Sequence, residues 1–183
     1  YLGKGKIVGV VGGDHSVPFG AIAELAARHP GLGILHVDAH ADLRDAYEGF
    51  AFSHASIMHN VMTRLPDVGK LVQVGIRDFS EAEADMVTSS AGRIVSFYDQ
   101  DIQRARLDGE PFRAVADRIV AELPQQVYVS FDIDGLDPAM CPNTGTPVPG
   151  GLSFHEATYL LSRLVAAKKT IVVKQVRSAA RRP

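Results

Sequence analysis

The stretch HVDAHADLRD, residues 36–45, carries two aspartates and a histidine at alternate positions directly after an apolar run. Asp38, His40 and Asp42 are residue types that bind divalent cations. In an extended strand, an i, i+4 spacing would separate the two aspartates by roughly 13 Å, too far for one cation. The chain must therefore leave the strand and curl if all three side chains are to face a common centre.

Two other segments carry residues of the same chemistry after predicted strands. His15 lies in GGDHS, residues 12–16, and Asp132 and Asp134 lie in SFDIDGLDP, residues 130–138. Carboxylates brought together in this number would repel one another and raise one another's pKa values. A pair of divalent cations would remove that penalty. Oxygen ligands with two imidazoles suit Mn²⁺, with Zn²⁺, Fe²⁺ or Co²⁺ as alternatives.

Short apolar strands alternate with amphipathic helices along the chain. Strands are predicted over residues 6–11, 33–37, 71–74, 94–97, 127–131 and 170–173. Helices are predicted over residues 17–28, 55–65, 80–87, 112–123 and 153–166. The alternation predicts an α/β fold with three α/β/α layers and a mainly parallel sheet. The candidate ligands all follow strands, and sites in such sheets lie beyond the carboxyl ends of the strands.

Helix starts and one long loop are also marked in the sequence. Ser80 with Glu83, and Ser153 with Glu156, have the Ser-x-x-Glu spacing of a capping box. Residues 135–151, between the fifth strand and the last helix, are rich in proline and glycine. Long loops inside a compact domain are commonly functional, so we expect this loop to line the site.

Length and composition narrow the class of protein. The 183 residues are 46% hydrophobic with a net charge of −2, which fits a single domain over residues 1–183. Because there is no basic excess, a nucleic-acid partner is not expected. No apolar run reaches the roughly 18 residues of a membrane span, so no membrane partner is expected either. Cys141 is the only cysteine, which favours a cytoplasmic location.

The motifs GGDHS, DAHADLRD, SHASIMH, SFDIDGLDP and TGTPVPGG, in this order between Gly12 and Gly151, resemble the ureohydrolase family of arginases and agmatinases. The form DAHADLRDAYEG followed by FSHAS is closest to agmatinases. Arginases typically carry an asparagine where this chain has Arg44, which disfavours arginine as the substrate. The resemblance implies an arginase-like fold, two Mn²⁺ ions per chain, and hydrolysis of the guanidino group of agmatine to urea and putrescine.

The resemblance also implies a role for individual residues. One Mn²⁺ would be held by His15, Asp38, Asp42 and Asp132. The second would be held by Asp38, His40, Asp132 and Asp134, so that Asp38 and Asp132 are shared. Asp42 would in addition hydrogen-bond the attacking water and pass on its proton, and His54 would shuttle protons. His36 is interpreted as a packed histidine that is not a ligand.

The chain departs from the family pattern at both ends. We expect the N-terminal part of the domain, before Tyr1, to be absent. Relatives usually continue after the last strand with D-x-V-E-x-x-P, whose glutamate binds the guanidinium, whereas no acidic residue follows Glu156 here. Residues 174–183 are therefore expected to form an atypical tail, and the domain to be incomplete at both ends. The resemblance implies a homo-oligomer, a trimer or hexamer, if the ends were intact.

Alternative functions stay open from the sequence. The first is hydrolysis of another guanidino compound, such as guanidinobutyrate or arginine. The second is a metal-binding but inactive remnant of the family, which the missing glutamate favours. The third is a deacetylase with the arginase-like fold, which the large number of acidic candidate ligands disfavours, since those sites usually hold one Zn²⁺ with fewer acids.

Overall fold

The computed structural model describes residues 8–177, and the side chains of residues 9–169. Within that part of the chain, the strands are β1 (Val8–Gly12), β2 (Leu32–Val37), β3 (Val68–Ile76), β4 (Ile94–Tyr98), β5 (Gln126–Asp132) and β6 (Thr170–Arg177). They form one six-stranded sheet in the order β1-β6-β5-β2-β3-β4. Every neighbouring pair is parallel. The predicted parallel sheet is therefore confirmed.

Helices cover both faces of the sheet. They are α1 (Phe19–Arg28), α2 (Ile57–Arg64), α3 (Glu81–Ser89), α4 (Asp99–Leu107), α5 (Phe112–Glu122) and α6 (Phe154–Ala166). Residues of α1, α2 and α3 pack in one apolar cluster, and residues of α4, α5 and α6 pack in another. The three-layer α/β/α architecture is thus confirmed. Within the described part of the chain, no helix combines the length and apolar character needed to cross a bilayer.

The central strands are buried on both sides, which explains their continuous apolar runs. In β2, Ile34 packs in the cluster with α1 and α2, and Leu35 packs in the cluster with α5 and α6. In β5, Tyr128 and Val129 divide between the same two clusters. All four side chains are at most 1% exposed. Such strands carry no polar face, as is typical of parallel sheets.

Three elements differ from the sequence prediction. Helix α4 was not predicted because its sequence, DQDIQRARL, is polar and buries only Asp99 and Ile102. Strand β3 runs from Val68 to Ile76 and β6 extends to Arg177, so both are longer than their apolar centres. The predicted start of β1 at Lys6 lies outside the described residues, as does the tail from residue 178.

Both predicted capping boxes are present. The Ser80 N–H donates to Glu83 Oε2 over 2.8 Å at the start of α3. The Ser153 N–H donates to Glu156 Oε2 over 2.8 Å at the start of α6, and the Glu156 N–H donates back to Ser153 Oγ over 3.2 Å. Each box satisfies backbone N–H groups that a helix start leaves unpaired.

Candidate metal centre

The candidate ligands meet at the carboxyl edge of the sheet. Val37 of β2 pairs with Phe131 of β5, which places the next residues of the two strands, Asp38 and Asp132, side by side. His15 follows β1 by three residues and is fully buried. The structure brings together all six predicted ligands: His15, Asp38, His40, Asp42, Asp132 and Asp134.

One imidazole nitrogen lies among three carboxylates. His15 Nδ1 lies 2.9 Å from Asp42 Oδ2, 3.0 Å from Asp38 Oδ2 and 3.5 Å from Asp132 Oδ2. It makes no hydrogen bond of acceptable geometry within the described residues, although it is buried. The opposite nitrogen, Nε2, lies 2.8 Å from Ser130 Oγ. If Nε2 donates to Ser130, Nδ1 presents a lone pair toward the carboxylates, as a metal ligand requires.

Asp38 connects two groups of potential ligands. His15, His36, Asp38 and Asp42 have ligand atoms close enough to share one ion, as do Asp38, His40 and Asp134. His40 Nδ1 lies 3.3 Å from Asp38 Oδ1 and 3.4 Å from Asp134 Oδ2. Asp38 is therefore placed as a ligand shared between two cations would be.

The backbone turns sharply at Asp42, as it must if Asp38, His40 and Asp42 are to face a common centre. Asp42 has φ of 53°, a left-handed conformation that residues other than glycine rarely adopt. Its carbonyl accepts hydrogen bonds from the N–H groups of Met58 and His59, over 3.0 and 3.1 Å, at the start of α2. These bonds fix the turn that directs the Asp42 carboxylate back toward His15.

The directions of the pKa shifts indicate that positive charge would stabilise the clustered carboxylates. Burial and the charge of Asp38 raise the pKa of Asp42 to about 6. Burial alone would lower the pKa of His40, but the carboxylates of Asp134 and Asp38 raise it to about 10. Burial would likewise lower the pKa of His15, yet Asp38 and Asp42 hold it well above its usual value. Protonated imidazoles or divalent cations can supply that charge, and only cations leave the imidazoles free to act as ligands.

His36 and Gln73 support Asp38 from behind. His36 is fully buried, as a packed histidine would be, and its Nε2 lies 2.9 Å from Asp38 Oδ2. Gln73 Nε2 lies 3.0 Å from His36 Nδ1 and donates to the Ala41 carbonyl over 2.7 Å. This network favours the neutral His36 tautomer that donates to Asp38. Gln73 was not predicted as part of the site, although a glutamine inside the apolar run LVQVG was a usable signal.

Arg77 ties the long loop to the ligand-bearing strand ends. Its guanidinium donates to the carbonyls of Gly75, Asp134, Leu136 and Val148 over 2.7 to 3.2 Å. Gly135 lies directly against β2, because a Cβ placed there would come within 2.8 Å of the Asp38 nitrogen. The segment around Asp134 is therefore held to Asp38 by both the arginine and the glycine.

A small cavity opens beside the buried cluster. Its volume is about 100 Å³, and it is lined by His40, Asp42, Arg44, Tyr47, His54, Ala55, Asp78, Glu83 and Thr146. The two predicted catalytic residues, Asp42 and His54, thus face the same space. The His54 side chain is 40% exposed, and its Nδ1 lies 3.7 Å from Asp14 Oδ2. Thr146 shows that the long loop contributes to the wall of this cavity, as expected.

The donor set fits a pair of hard or borderline divalent cations. Four buried carboxylates and two imidazoles converge, and the buried His15 Nδ1 points into them with no hydrogen bond among the described residues. Oxygen-rich sites with imidazole ligands suit Mn²⁺. The individual ligand roles remain predictions.

The model of the Arginase family matches residues 1–176. The chain is 35% identical over 171 residues to N(1)-aminopropylagmatine ureohydrolase of Thermus thermophilus, covering 93% of this chain and 54% of the relative. It therefore spans about half the length of this curated relative.

Solved structures share the fold. Arginase from Bacillus cereus superimposes with a TM-score of 0.82 at 30% identity, covering 97% of this chain and 64% of the other. The agmatine ureohydrolase of Thermoplasma volcanium superimposes with a TM-score of 0.80 at 27% identity, covering 98% of this chain and 56% of the other. The arginase-like fold expected from the sequence motifs is thereby confirmed.

Proposed function

The chain belongs to the arginase family, and from this premise we propose that it is a binuclear, Mn²⁺-dependent amidinohydrolase acting on agmatine. Members of this family hydrolyse guanidino C–N bonds. The observation that carries the proposal is the convergence of His15 Nδ1 with three buried carboxylates, next to a second group that shares Asp38. Agmatine would be hydrolysed to urea and putrescine.

The proposed ligand sets follow from this arrangement. His15, Asp38, Asp42 and Asp132 would hold one ion, and Asp38, His40, Asp132 and Asp134 would hold the other. When bound, the two ions would supply positive charge and lower the pKa of a water molecule, which is otherwise a poor nucleophile at neutral pH. The guanidinium carbon needs such help because its charge is delocalised.

The residues of this chain would manage the protons. Asp42 lies on the boundary between the buried cluster and the cavity, so its carboxylate can accept a hydrogen bond from the attacking water and take its proton. His54 stands at the exposed rim of the same cavity, where it can exchange a proton with solvent. The amine must leave protonated, so a carrier between water and leaving group is required. We assign that role to His54.

The choice of agmatine rests on the sequence motifs and on the names of relatives. One relative acts on N(1)-aminopropylagmatine and one structural neighbour on agmatine, both guanidino compounds with a distal amine. Arg44 on the cavity wall provides a specific reason to keep a second candidate, because a cation there would favour a substrate with a distal carboxylate, such as guanidinobutyrate. Its charge is partly offset by Glu83, whose Oε2 lies 3.7 Å from Arg44 Nε.

A urea-release assay on Mn²⁺-loaded protein tests the proposal. Agmatine, N(1)-aminopropylagmatine, guanidinobutyrate and arginine would be compared, and agmatine is expected to give the largest kcat/KM. Preference for guanidinobutyrate would replace the proposed substrate. Two bound ions without urea from any of the four would instead support the inactive remnant.

Several further features are proposed on the same basis. The single cysteine supports a cytoplasmic location. Assembly as a homo-oligomer, a trimer or hexamer, is proposed from the family resemblance for a chain whose ends are intact. Residues 1–183 are proposed as a single domain with an atypical segment from residue 174.

A further inference from the structure

We propose that Glu83 is a positioning residue that holds Asp42 in the conformation needed for metal binding, an inference that rests on the proposed metal centre. Glu83 is the third residue of α3, is 3% exposed, and lies outside the predicted ligand set. As part of a capping box it has an ordinary structural role. A further contact links it to the ligand-bearing loop.

The two carboxylate oxygens of Glu83 have different partners. Oε2 accepts hydrogen bonds from the Ser80 N–H and Oγ–H, over 2.8 and 2.9 Å, which caps the helix. Oε1 accepts a hydrogen bond from the Leu43 N–H over 3.0 Å. The capping function uses one oxygen, and the other is available to hold a segment 40 residues earlier in the chain.

The Leu43 N–H belongs to the peptide group that follows Asp42. The carbonyl of that same peptide accepts from the N–H groups of Met58 and His59. The peptide is therefore held from both sides, by α2 through its oxygen and by Glu83 through its nitrogen. Asp42 needs such restraint because its φ of 53° is unfavourable for a residue with a side chain. Release of either side would allow the backbone to relax and turn the carboxylate away from His15.

Glu156 provides a matched comparison within the chain. It caps α6 through Ser153 with the same 2.8 Å bond, and it is also buried. Its other oxygen, Oε1, lies 2.7 Å from Arg106 Nη1, and no hydrogen bond within the described residues joins it to a loop that carries predicted ligands. The two glutamates therefore share the capping function and differ in what the second oxygen holds.

The test compares variants of the full chain by Mn²⁺ titration calorimetry, with thermal unfolding measured in chelator. Glu83→Gln keeps the size of the side chain but replaces one carboxylate oxygen with an NH₂ group. That group would face a backbone N–H and could not accept a hydrogen bond from it. We expect at least one of the two Mn²⁺ affinities to fall by about 10-fold or more, as when a group that orients a ligand is removed. Glu156→Gln should lower thermal stability comparably and leave both affinities unchanged.

A second pair of variants avoids the ambiguity of the glutamine side chain, whose NH₂ group can point toward either Leu43 or Ser80. Glu83→Ala removes the cap, the bond to Leu43 and the ion pair with Arg44, and Ser80→Ala removes a capping hydroxyl while keeping the bond to Leu43. Only Glu83→Ala should weaken Mn²⁺ binding. If the wild type and the Glu83 variants all bind two ions equally tightly, the positioning role of Glu83 is overturned while the proposed metal centre stands. If the wild type binds no Mn²⁺, the proposed metal centre fails and the inference falls with it.

Discussion

Arg77 and Arg93 make similar contacts at opposite ends of the sheet. Arg77 follows β3 at the carboxyl edge, and Arg93 precedes β4 at the amino edge, where it donates to the carbonyls of Met62, Leu65 and Val68. Both half-buried guanidinium groups bind several backbone carbonyls, and those bound by Arg93 lie at the end of α2 and the start of β3. The carbonyls bound by Arg77 include that of Asp134, so at the carboxyl edge the same kind of contact also holds a proposed metal ligand.

Two glycines show the same contrast. A Cβ at Gly33, near the start of β2, would lie 2.3 Å from Pro124 Cδ, and a Cβ at Gly135 would lie 2.8 Å from the Asp38 nitrogen. Both positions need glycine because another segment approaches closely. The first approach packs the core, and the second brings two proposed ligands together. Close packing at the amino edge therefore serves the fold alone, whereas close packing at the carboxyl edge also positions proposed metal ligands.

The largest effect is expected for Asp38→Asn. It replaces a carboxylate that lies within reach of three imidazoles, so Mn²⁺ affinity should fall by on the order of 100-fold or more, with urea release lost in parallel. Asp67→Asn, an exposed aspartate at the amino edge, is the control and should bind Mn²⁺ normally. Calorimetry and metal analysis after dialysis measure the difference. Retention of two ions by Asp38→Asn would contradict the proposed ligand sets.

His54→Ala tests whether proton transfer and metal binding at the carboxyl edge depend on different residues. Loss of a proton carrier should lower kcat by on the order of 100-fold or more while metal content stays near that of the wild type. His29→Ala, at the C-terminus of α1, should change neither value. Parallel measurements of urea release and bound Mn²⁺ test this, and an equal fall in both would remove His54 from the proton pathway.

Gly135→Ala and Gly33→Ala test whether close packing affects Mn²⁺ binding only at the carboxyl edge. Each forces a methyl group into occupied space and should cost about 1–3 kcal/mol of unfolding free energy. Only Gly135→Ala should also weaken Mn²⁺ binding, by about 10-fold, because it separates Asp134 from Asp38. Chemical denaturation in chelator gives the stability, and calorimetry gives the affinity. Similar affinities in the two variants would mean that the close approach at Gly135 serves packing alone.

The smallest effect is expected for Arg77→Lys compared with Arg93→Lys. A compact ammonium cannot reproduce the spread of carbonyl contacts made by either guanidinium, so each variant should lose about 1–2 kcal/mol of stability. The Arg77 variant should in addition bind Mn²⁺ a few-fold more weakly, since the Asp134 segment is less firmly held. If the Arg93 variant lost as much affinity, the two edges would not differ in the way described.

Much of the architecture could be predicted from local patterns. Strands buried on both faces are continuous apolar runs, and the two Ser-x-x-Glu pairs mark helix starts by a mechanism confined to four residues. The position of the site also follows, because parallel strands bring their carboxyl ends to one edge. His15, Asp38 and Asp132 could therefore be grouped although they are far apart in the sequence.

The features that were missed depend on contacts between distant segments. Helix α4 has a single buried aliphatic residue, Ile102, so its periodicity is weak, and only its acidic first turn and basic last turn marked it. The link from Gln73 through His36 to Asp38 requires knowing that β2 and β3 are neighbours. The need for glycine at residue 135 is likewise visible only once β5 and β2 lie side by side.

The strand order has a consequence for folding during translation. Strand β1 is the first of the described strands to be translated, yet its one neighbour among them is β6, which is the last. Aspartates from β2 and β5 can meet early, because those strands pair directly. Because β6 pairs with both β1 and β5, we expect the imidazole of His15 to reach its place only after residues 170–177 have been translated. Binding of metal ions at the proposed centre would then wait for translation of residues 170–177, and its rate would report on formation of this non-local strand pairing.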